Sequence, residues 1–127
     1  MKKNSLIRFI SALTVLIIFS TSSYGQYKGP GSADKFYTIA EIKDNASELD
    51  RKDVMVKVQG FIVKQINKDT YEFKDDTGTI QVDIDKKKLP DSPFDDKTEI
   101  ILIGEVDNDL LEPVEIEAEE VIINNLQ

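Results

Sequence analysis

The sequence predicts a mainly β fold: five short strands curled into a small barrel, preceded by a short N-terminal helix. Three observations predict it. Apolar residues alternate with other residues in short runs between Val54 and Ile123, the period of half-buried strands. Turn-forming clusters such as Asn67-Lys68-Asp69 and Asp75-Asp76-Thr77-Gly78 separate those runs at roughly ten-residue spacing, as in sandwiches and small barrels. The first run slips its alternation at Gly60, and an isolated glycine in a strand marks a bulge or a sharp bend.

Composition narrows the chemistry. The chain has 127 residues, 16 Lys+Arg and 24 Asp+Glu, with no Cys, His or Trp. Without Cys there are no disulfides, thiolate metal sites or Cys nucleophiles. Without His the commonest general base and the commonest zinc ligand are missing, which excludes Ser-His-Asp triads and zinc hydrolases. A formal charge of −8 argues against a nucleic-acid partner, whose binding domains usually carry a basic stripe. Neither a catalytic residue nor a cofactor is expected.

The first residues read as an address. A basic start with Lys2, Lys3 and Arg8 precedes an apolar run from Phe9 to Phe19, and small or polar residues follow from Ser20 to Gly25. This is the three-part pattern of a secretory signal peptide over 1–25, cut before Gln26. The apolar run is shorter than the ~20 residues a spanning helix needs. The alternative is an uncleaved N-terminal anchor. Cleavage predicts a periplasmic protein with no stable membrane anchor. It also removes three basic residues and no acid, which takes the charge from −8 to −11. Residues 26–37, rich in Gly and polar residues, read as a flexible leader, and 38–127 as the folded domain. With no disulfide available to it, that domain must stand on packing alone.

Thr38 and Glu41 fit a capping box, so a short helix is predicted over 39–46, with Ile39, Ile42 and Ala46 on its inner face and a loop through Asp50 to Asp53. A long first strand runs from Val54 past Gly60 to Val63. Tyr71 and Phe73 alternate with Glu72 and Lys74 in a second strand. Asp75 to Gly78 reads as a hairpin turn, with glycine supplying a positive φ and Asp the cap. Ile80, Val82 and Ile84 face inward on a third strand over 79–85. Phe94 anchors the following polar loop. A fourth strand spans 98–106, and a fifth holds Val114, Ile116 and Ala118, running on through Val121 and Ile123. A bent first strand, a tight second hairpin and a longer third connection match an OB-fold. The alternative is an open five-stranded sheet packed on the helix.

Gly60-Phe61-Ile62-Val63, the phrase from Tyr71 to Asp85, and Gly104-Glu105-Val106-Asp107 resemble the bacterial OB-fold (BOF) family, periplasmic stress-tolerance proteins of the YgiW/YdeI type. The leader Gln26-Tyr27-Lys28-Gly29-Pro30 is similar to the start of their mature chains. The resemblance implies a secreted OB-fold with its helix ahead of the barrel. It also implies a role in tolerating oxidants and cationic antimicrobial peptides, binding rather than catalysis, and a ligand other than nucleic acid. Two departures stand out. Leu110-Leu111 occupy a place where the family often has an aromatic residue, and Lys86-Lys87-Lys88-Leu89 replace a mixed basic and aromatic stretch. If those aromatics stack on a ligand, this chain binds a different one.

Six residues are candidates for ligand binding: Tyr71, Phe73, Asp75, Asp76, Asp83 and Asp85. Two apart on one strand, Asp83 and Asp85 would share a face and offer carboxylates to a cationic peptide, a polyamine or a divalent ion. A solvated face with turn caps would look the same. Tyr71 and Phe73 sit where OB-folds place stacking platforms, so they are candidates for a cell-wall glycan, although aromatics at strand period are ordinarily core. Asp107, Asn108, Asp109 and Glu112 offer oxygens to calcium but lack the EF-hand pattern, and a plain turn is the better reading. Glu115, Glu117, Glu119 and Glu120 read as a charged outer face that deters strand-to-strand aggregation. The expected partner is a cationic peptide, a cell-wall glycan or an envelope protein. The alternative is a regulatory or structural subunit that docks on a membrane protein and binds no small ligand.

Overall fold

The structure, a computed structural model, describes residues 35–125. The expected signal peptide over 1–25 and all but the end of the leader lie outside them. Helix α1 (Ile39–Asp44) begins at the predicted capping box: Glu41 N donates to Thr38 Oγ1 at 3.1 Å, and Thr38 N to Glu41 Oε2 at 3.4 Å. A second helix, α2 (Ala46–Arg51), follows at once. The sequence reading ended the helix at 46 and placed a loop where α2 runs. Asn45 makes the break: its backbone N–H and its side-chain amide both donate to Glu41 O, and its own carbonyl accepts Leu49 N–H. The apolar stripe nevertheless continues across the break, because Ile39, Ile42, Ala46 and Leu49 are all buried. Asp53, with φ 51°, ends α2 in the left-handed region, donating to Asp50 O while Val54 donates to Leu49 O, the pairing of a Schellman motif.

Five strands form a closed barrel in the order β1-β2-β3-β5-β4. They are β1 (Met55–Gln65), β2 (Thr70–Asp75), β3 (Gly78–Asp83), β4 (Ile100–Asp107) and β5 (Glu115–Ile123). β1 is long, as predicted, and is shared by two neighbours: residues from Met55 to Gly60 pair with β4, and those from Phe61 to Gln65 pair with β2. Gly60 is the hand-over point, where a Cβ would lie 2.2 Å from the Lys74 carbonyl oxygen. Gly104 is in the same position against Glu117 O, also at 2.2 Å. Pairing β3 with β5 in parallel, over Gln81–Glu115, Val82–Ile116 and Asp83–Glu117, closes the ring. Only closure removes open sheet edges outright.

Alternation fills the interior with Val56, Val58, Ile62, Tyr71, Phe73, Ile80, Val82, Ile84, Ile100, Leu102, Val106, Ile116, Ala118 and Val121, and the helices add Ile39, Ile42, Ala46 and Leu49 to the same core. Two bulges adjust the phase. Val63 is the extra residue on β1 between Ile62 and Lys64. Glu119 is the extra residue on β5, between Ala118 opposite Gly104 and Glu120 opposite Ile103. The second bulge explains why the inward sequence runs Ile116, Ala118, Val121. Phe94 packs against the core as expected. Lys86–Lys88 form a 3-10 turn after β3. At the end of the leader, Phe36 bridges to Lys57, and Tyr37 N donates to Lys57 O at 2.8 Å.

The hairpin after β2 is not built as the sequence suggested. Neither Asp76 nor Thr77 has a positive φ, and Gly78 does not lie in that region either. Asp75 holds the turn instead, its Oδ1 accepting from Thr77 N, Thr77 Oγ1 and Gly78 N. The two glycines are therefore predicted to differ sharply. Gly60→Ala forces backbone apart and should destabilise by about 1–3 kcal/mol or more. At Gly78, whose nearest neighbour is Ile39 Cγ2 at 3.8 Å, alanine should be neutral or stabilising by up to about 1 kcal/mol. Urea unfolding of the two variants beside the wild type measures both.

Candidate functional site: an acidic face on the barrel

The barrel register creates an arrangement that alternation on single strands does not reveal. Val82, Ile116 and Val106 are aligned across β3, β5 and β4 and point inward. Their neighbours on either side therefore point outward in two rows. One row is Gln81, Glu115, Asp107, and the other is Asp83, Glu117, Glu105. Five of these six side chains are carboxylates. The ligand oxygens of Asp107, Glu115 and Glu117 lie within 4.8 Å of one another. Like charges directly opposite on neighbouring strands are destabilising, and two unit charges about 4 Å apart repel by ~1 kcal/mol even in water. Among the described residues none of the five takes part in an ion pair. Nor does the nearby sequence supply a counter-charge, since residues 98–127 contain nine acids and no Lys or Arg.

The two central groups register this crowding. Glu115 is held above its ordinary carboxyl value by loss of water and then by the charges of Asp83, Asp107, Glu117 and Glu112. Glu117 is raised in the same way, by desolvation and then by Asp107, Asp83, Glu105 and Glu119. A cation placed over the face would offset the repulsion at both groups. The three clustered carboxylates offer hard oxygen ligands, part of the set of six to eight that calcium takes. They equally suit an ammonium or guanidinium group.

Beside this face lies a cleft of about 430 Å³ between the β1–β2 and β4–β5 loops, lined by Lys43, Ile66, Glu72, Thr79, Ile80, Gln81, Pro113 and Val114. These two loops and the β2–β3 surface are where OB-folds bind their ligands. Glu115 follows Val114 of the cleft wall and pairs with Gln81 of the same wall, so acidic face and cleft adjoin. A second cleft, of about 390 Å³, is lined by Phe36, Tyr37 and Phe61 with Gln59, Asp75, Asp76 and Glu99.

The six residues singled out from the sequence do not form one site. Tyr71 and Phe73 are core residues, 8% and 0% exposed, paired with Val82 and Ile80 across the second hairpin. Asp75 joins the hairpin to the helix: its Oδ2 accepts Ile39 N at 2.9 Å, while Thr77 Oγ1 accepts Ala40 N at 3.0 Å. Asp76 is exposed beside it, lining the aromatic cleft. Asp83 belongs to the acidic face. Asp85 lies beyond the end of β3 and caps the 3-10 turn through Lys87 N, beside Lys68, Asp69 and Lys86. Of the loop weighed for calcium, only Asp107 joins the clustered carboxylates. Asn108 is tied to α2 through Asp50 Oδ2 and Ser47 Oγ, and Asp109 Oδ1 accepts Leu111 N. Sequence reasoning saw Glu115 and Glu117 only as a charged outer face. Their spacing was visible, but their alignment with Asp83 and Asp107 was not.

Fold and topology together define a small OB-fold barrel with its helices ahead of β1. Residues 20–123 match the family model described as bacterial OB fold (BOF) protein, and the chain belongs to that family. It is 36% identical over 118 residues to the calcium-regulated OB-fold protein CarO of Pseudomonas aeruginosa, covering 91% of this chain and 97% of that protein. The solved structure of the hypothetical protein YgiW from E. coli superimposes with a TM-score of 0.62 at 35% identity, covering 78% of this chain and 98% of that one. The telomere capping protein Ten1 of Schizosaccharomyces pombe, at 14% identity and a TM-score of 0.50, shares the fold alone.

Two acids should move stability with pH in opposite directions. Burial opposes ionisation of Asp75, but hydrogen bonds from the Thr77 hydroxyl and the Ile39, Thr77 and Gly78 amides outweigh it and hold its carboxyl below the ordinary value. Its contribution is present above that ordinary value and is lost as pH falls through the lower folded one. Asp75→Ala should cost about 1–3 kcal/mol at pH 7, with a loss that shrinks in acid. For Glu117 the folded value is raised, so wild-type stability declines as pH rises through the window just above the ordinary glutamate value. Glu117→Gln should stabilise the neutral protein by about 0.2–1 kcal/mol, with no gain below that window. Chemical denaturation of both variants from pH 3 to pH 8 measures each trend.

Proposed function

We propose that this protein is an exported, non-enzymatic OB-fold binding module of the bacterial envelope that contributes to stress tolerance by holding a positively charged ligand on the β3–β5–β4 face. The observation that carries this reading is the register of Asp83, Glu105, Asp107, Glu115 and Glu117: five outward carboxylates side by side, with no ion pair to any of them among the described residues. A face of this kind stores repulsion in the unliganded state, and a bound cation relieves it. The two face groups whose carboxyl values are raised, Glu115 and Glu117, give the ligand its strongest electrostatic return. A relative is named as calcium-regulated, which makes calcium the first ion to test. The signal-peptide pattern over 1–25 supports periplasmic placement.

A second reading rests on a different observation. A cell-wall glycan would not meet Tyr71 or Phe73, which are buried. It would instead use the cleft of Phe36, Tyr37 and Phe61, where rings stand beside Gln59, Glu99 and Asp76. Titration of the labelled protein with calcium chloride, with spermine and with chitotriose, followed by backbone amide shifts, separates the readings. The cationic reading predicts saturable shifts at 81–83, 105–107 and 115–117 with calcium or spermine, weakened at least tenfold in Glu115→Gln/Glu117→Gln. Shifts confined to residues around Phe36 and Phe61 with chitotriose would favour the glycan reading. Silence to all three would favour a subunit that docks on an envelope protein.

A further inference from the structure

Leu110 and Leu111 stand at the tip of the β4–β5 loop, 98% and 94% exposed. The other exposed large apolar residues among the described ones, Phe36, Val63, Ile66 and Ile122, are only 37% to 47% exposed. The pair is held in place rather than loose. Asn108 N donates to Asp50 Oδ2 and Asn108 Nδ2 to Ser47 Oγ, both at 2.9 Å, which fastens the base of the loop to α2. Leu111 N donates to Asp109 Oδ1 at 3.3 Å, and Glu112 N to Asp109 O at 3.3 Å, which shape the tip. Two leucines presented to water on a tethered loop gain nothing for the fold, because they pack against none of it.

The surroundings decide what would cover them. Asp107 and Asp109 precede the pair, Glu112 follows it, and Glu112 and Asp107 act electrostatically on Glu115 of the acidic face. The tip is thus an apolar knob ringed along its own loop by acids alone. A bilayer rich in anionic lipid would be repelled by that ring. A second copy of this chain, with a net charge of −8, would bring acids against acids. A polypeptide segment with an apolar side and a basic side fits both features at once. It would cover the leucines with its apolar residues and set Lys or Arg over Asp107, Glu115 and Glu117.

We propose that the β4–β5 loop is a docking tip for a basic amphipathic polypeptide segment, anchored by Leu110 and Leu111 and oriented by the adjoining carboxylates. The proposal names the partner class for the acidic face and so rests on the cationic reading of that face. Three probes keep the two separable: an eighteen-residue helical peptide of Lys and Leu with one face of each, a Lys/Ser peptide of equal charge, and phosphatidylglycerol vesicles. Binding is read by fluorescence anisotropy or vesicle co-sedimentation with the wild type, with Leu110→Ser/Leu111→Ser and with Glu115→Gln/Glu117→Gln. Near-complete exposure of both leucines means that the serine variant should fold as the wild type does, which its thermal transition checks.

The Lys/Leu peptide should bind the wild type at least tenfold more tightly than the Lys/Ser peptide, and the serine variant should lose that advantage while keeping the weaker Lys/Ser binding. The glutamine variant should weaken both peptides. Equal binding of the Lys/Leu peptide by wild type and serine variant would overturn the docking tip and leave the cationic face standing. Failure of both peptides with the wild type would remove the cationic reading for polypeptides as well. Vesicle binding, or self-association in the ultracentrifuge, that disappears in the serine variant would assign the leucines to lipid or to a second copy and overturn the proposal.

Discussion

Three parallel residue pairs between β3 and β5 are the constraint on which the rest of this structure depends. They close the ring, and closure fixes the phase of every neighbouring strand. Once Val82, Ile116 and Val106 are aligned inward, the residues on either side have no choice but to face outward together. The same closure requires strands to approach tightly enough that Gly60 and Gly104 have no room for a Cβ. Core and acidic face are therefore two consequences of one register. A slip of a single residue would turn the apolar set outward and scatter the carboxylates.

The helical segment is secured by a different device. Asp75 stands at the end of β2, yet its two oxygens serve separate tasks: one holds the hairpin turn, and the other accepts the first amide of α1. A short helix of six residues has little stability of its own. It persists because its N-terminus is docked on the hairpin and its apolar stripe is buried in the barrel core. This is how a chain without cysteine builds a stable unit of this size: hydrogen bonds at the joint, and one continuous core through helices and strands.

Much of this was legible in the sequence because the signals are local. The capping box at Thr38 and Glu41, the shared strand hinged at Gly60, and the inward set Ile80, Val82 and Ile84 each follow from residues a few positions apart. The features that escaped reading depend on partners far away in the chain. Helix α2 was hidden because its polar ends resemble a loop, although Leu49 continued the stripe. Gly78 suggested a positive φ, but the Asp75 side chain makes the turn instead. Tyr71 and Phe73 alternate as core residues do, and the core reading weighed beside the stacking platform is the one the barrel adopts. Asp83 and Asp85 were paired by spacing, but β3 ends at Asp83 and the two part company. The acidic face needed the β3–β5 register and the bulge at Glu119, neither of which any single strand encodes. One clue was in plain view: beyond Lys97 the chain has acids and no base.

Membership of the BOF family, shared with CarO and YgiW across most of the chain, gives the barrel its class, and the register of this barrel gathers five carboxylates on one face. The central claim is that loss of water and the surrounding carboxylates hold Glu115 and Glu117 above the ordinary value, and that a cation relieves the repulsive part. Carboxyl-carbon NMR titration of these two side chains, without and with saturating calcium or spermine, tests it most directly. The account predicts midpoints above the ordinary glutamate value in the unliganded protein and a downward move of both on adding the cation. Midpoints at or below the ordinary value, or midpoints that the cation leaves in place, would contradict it.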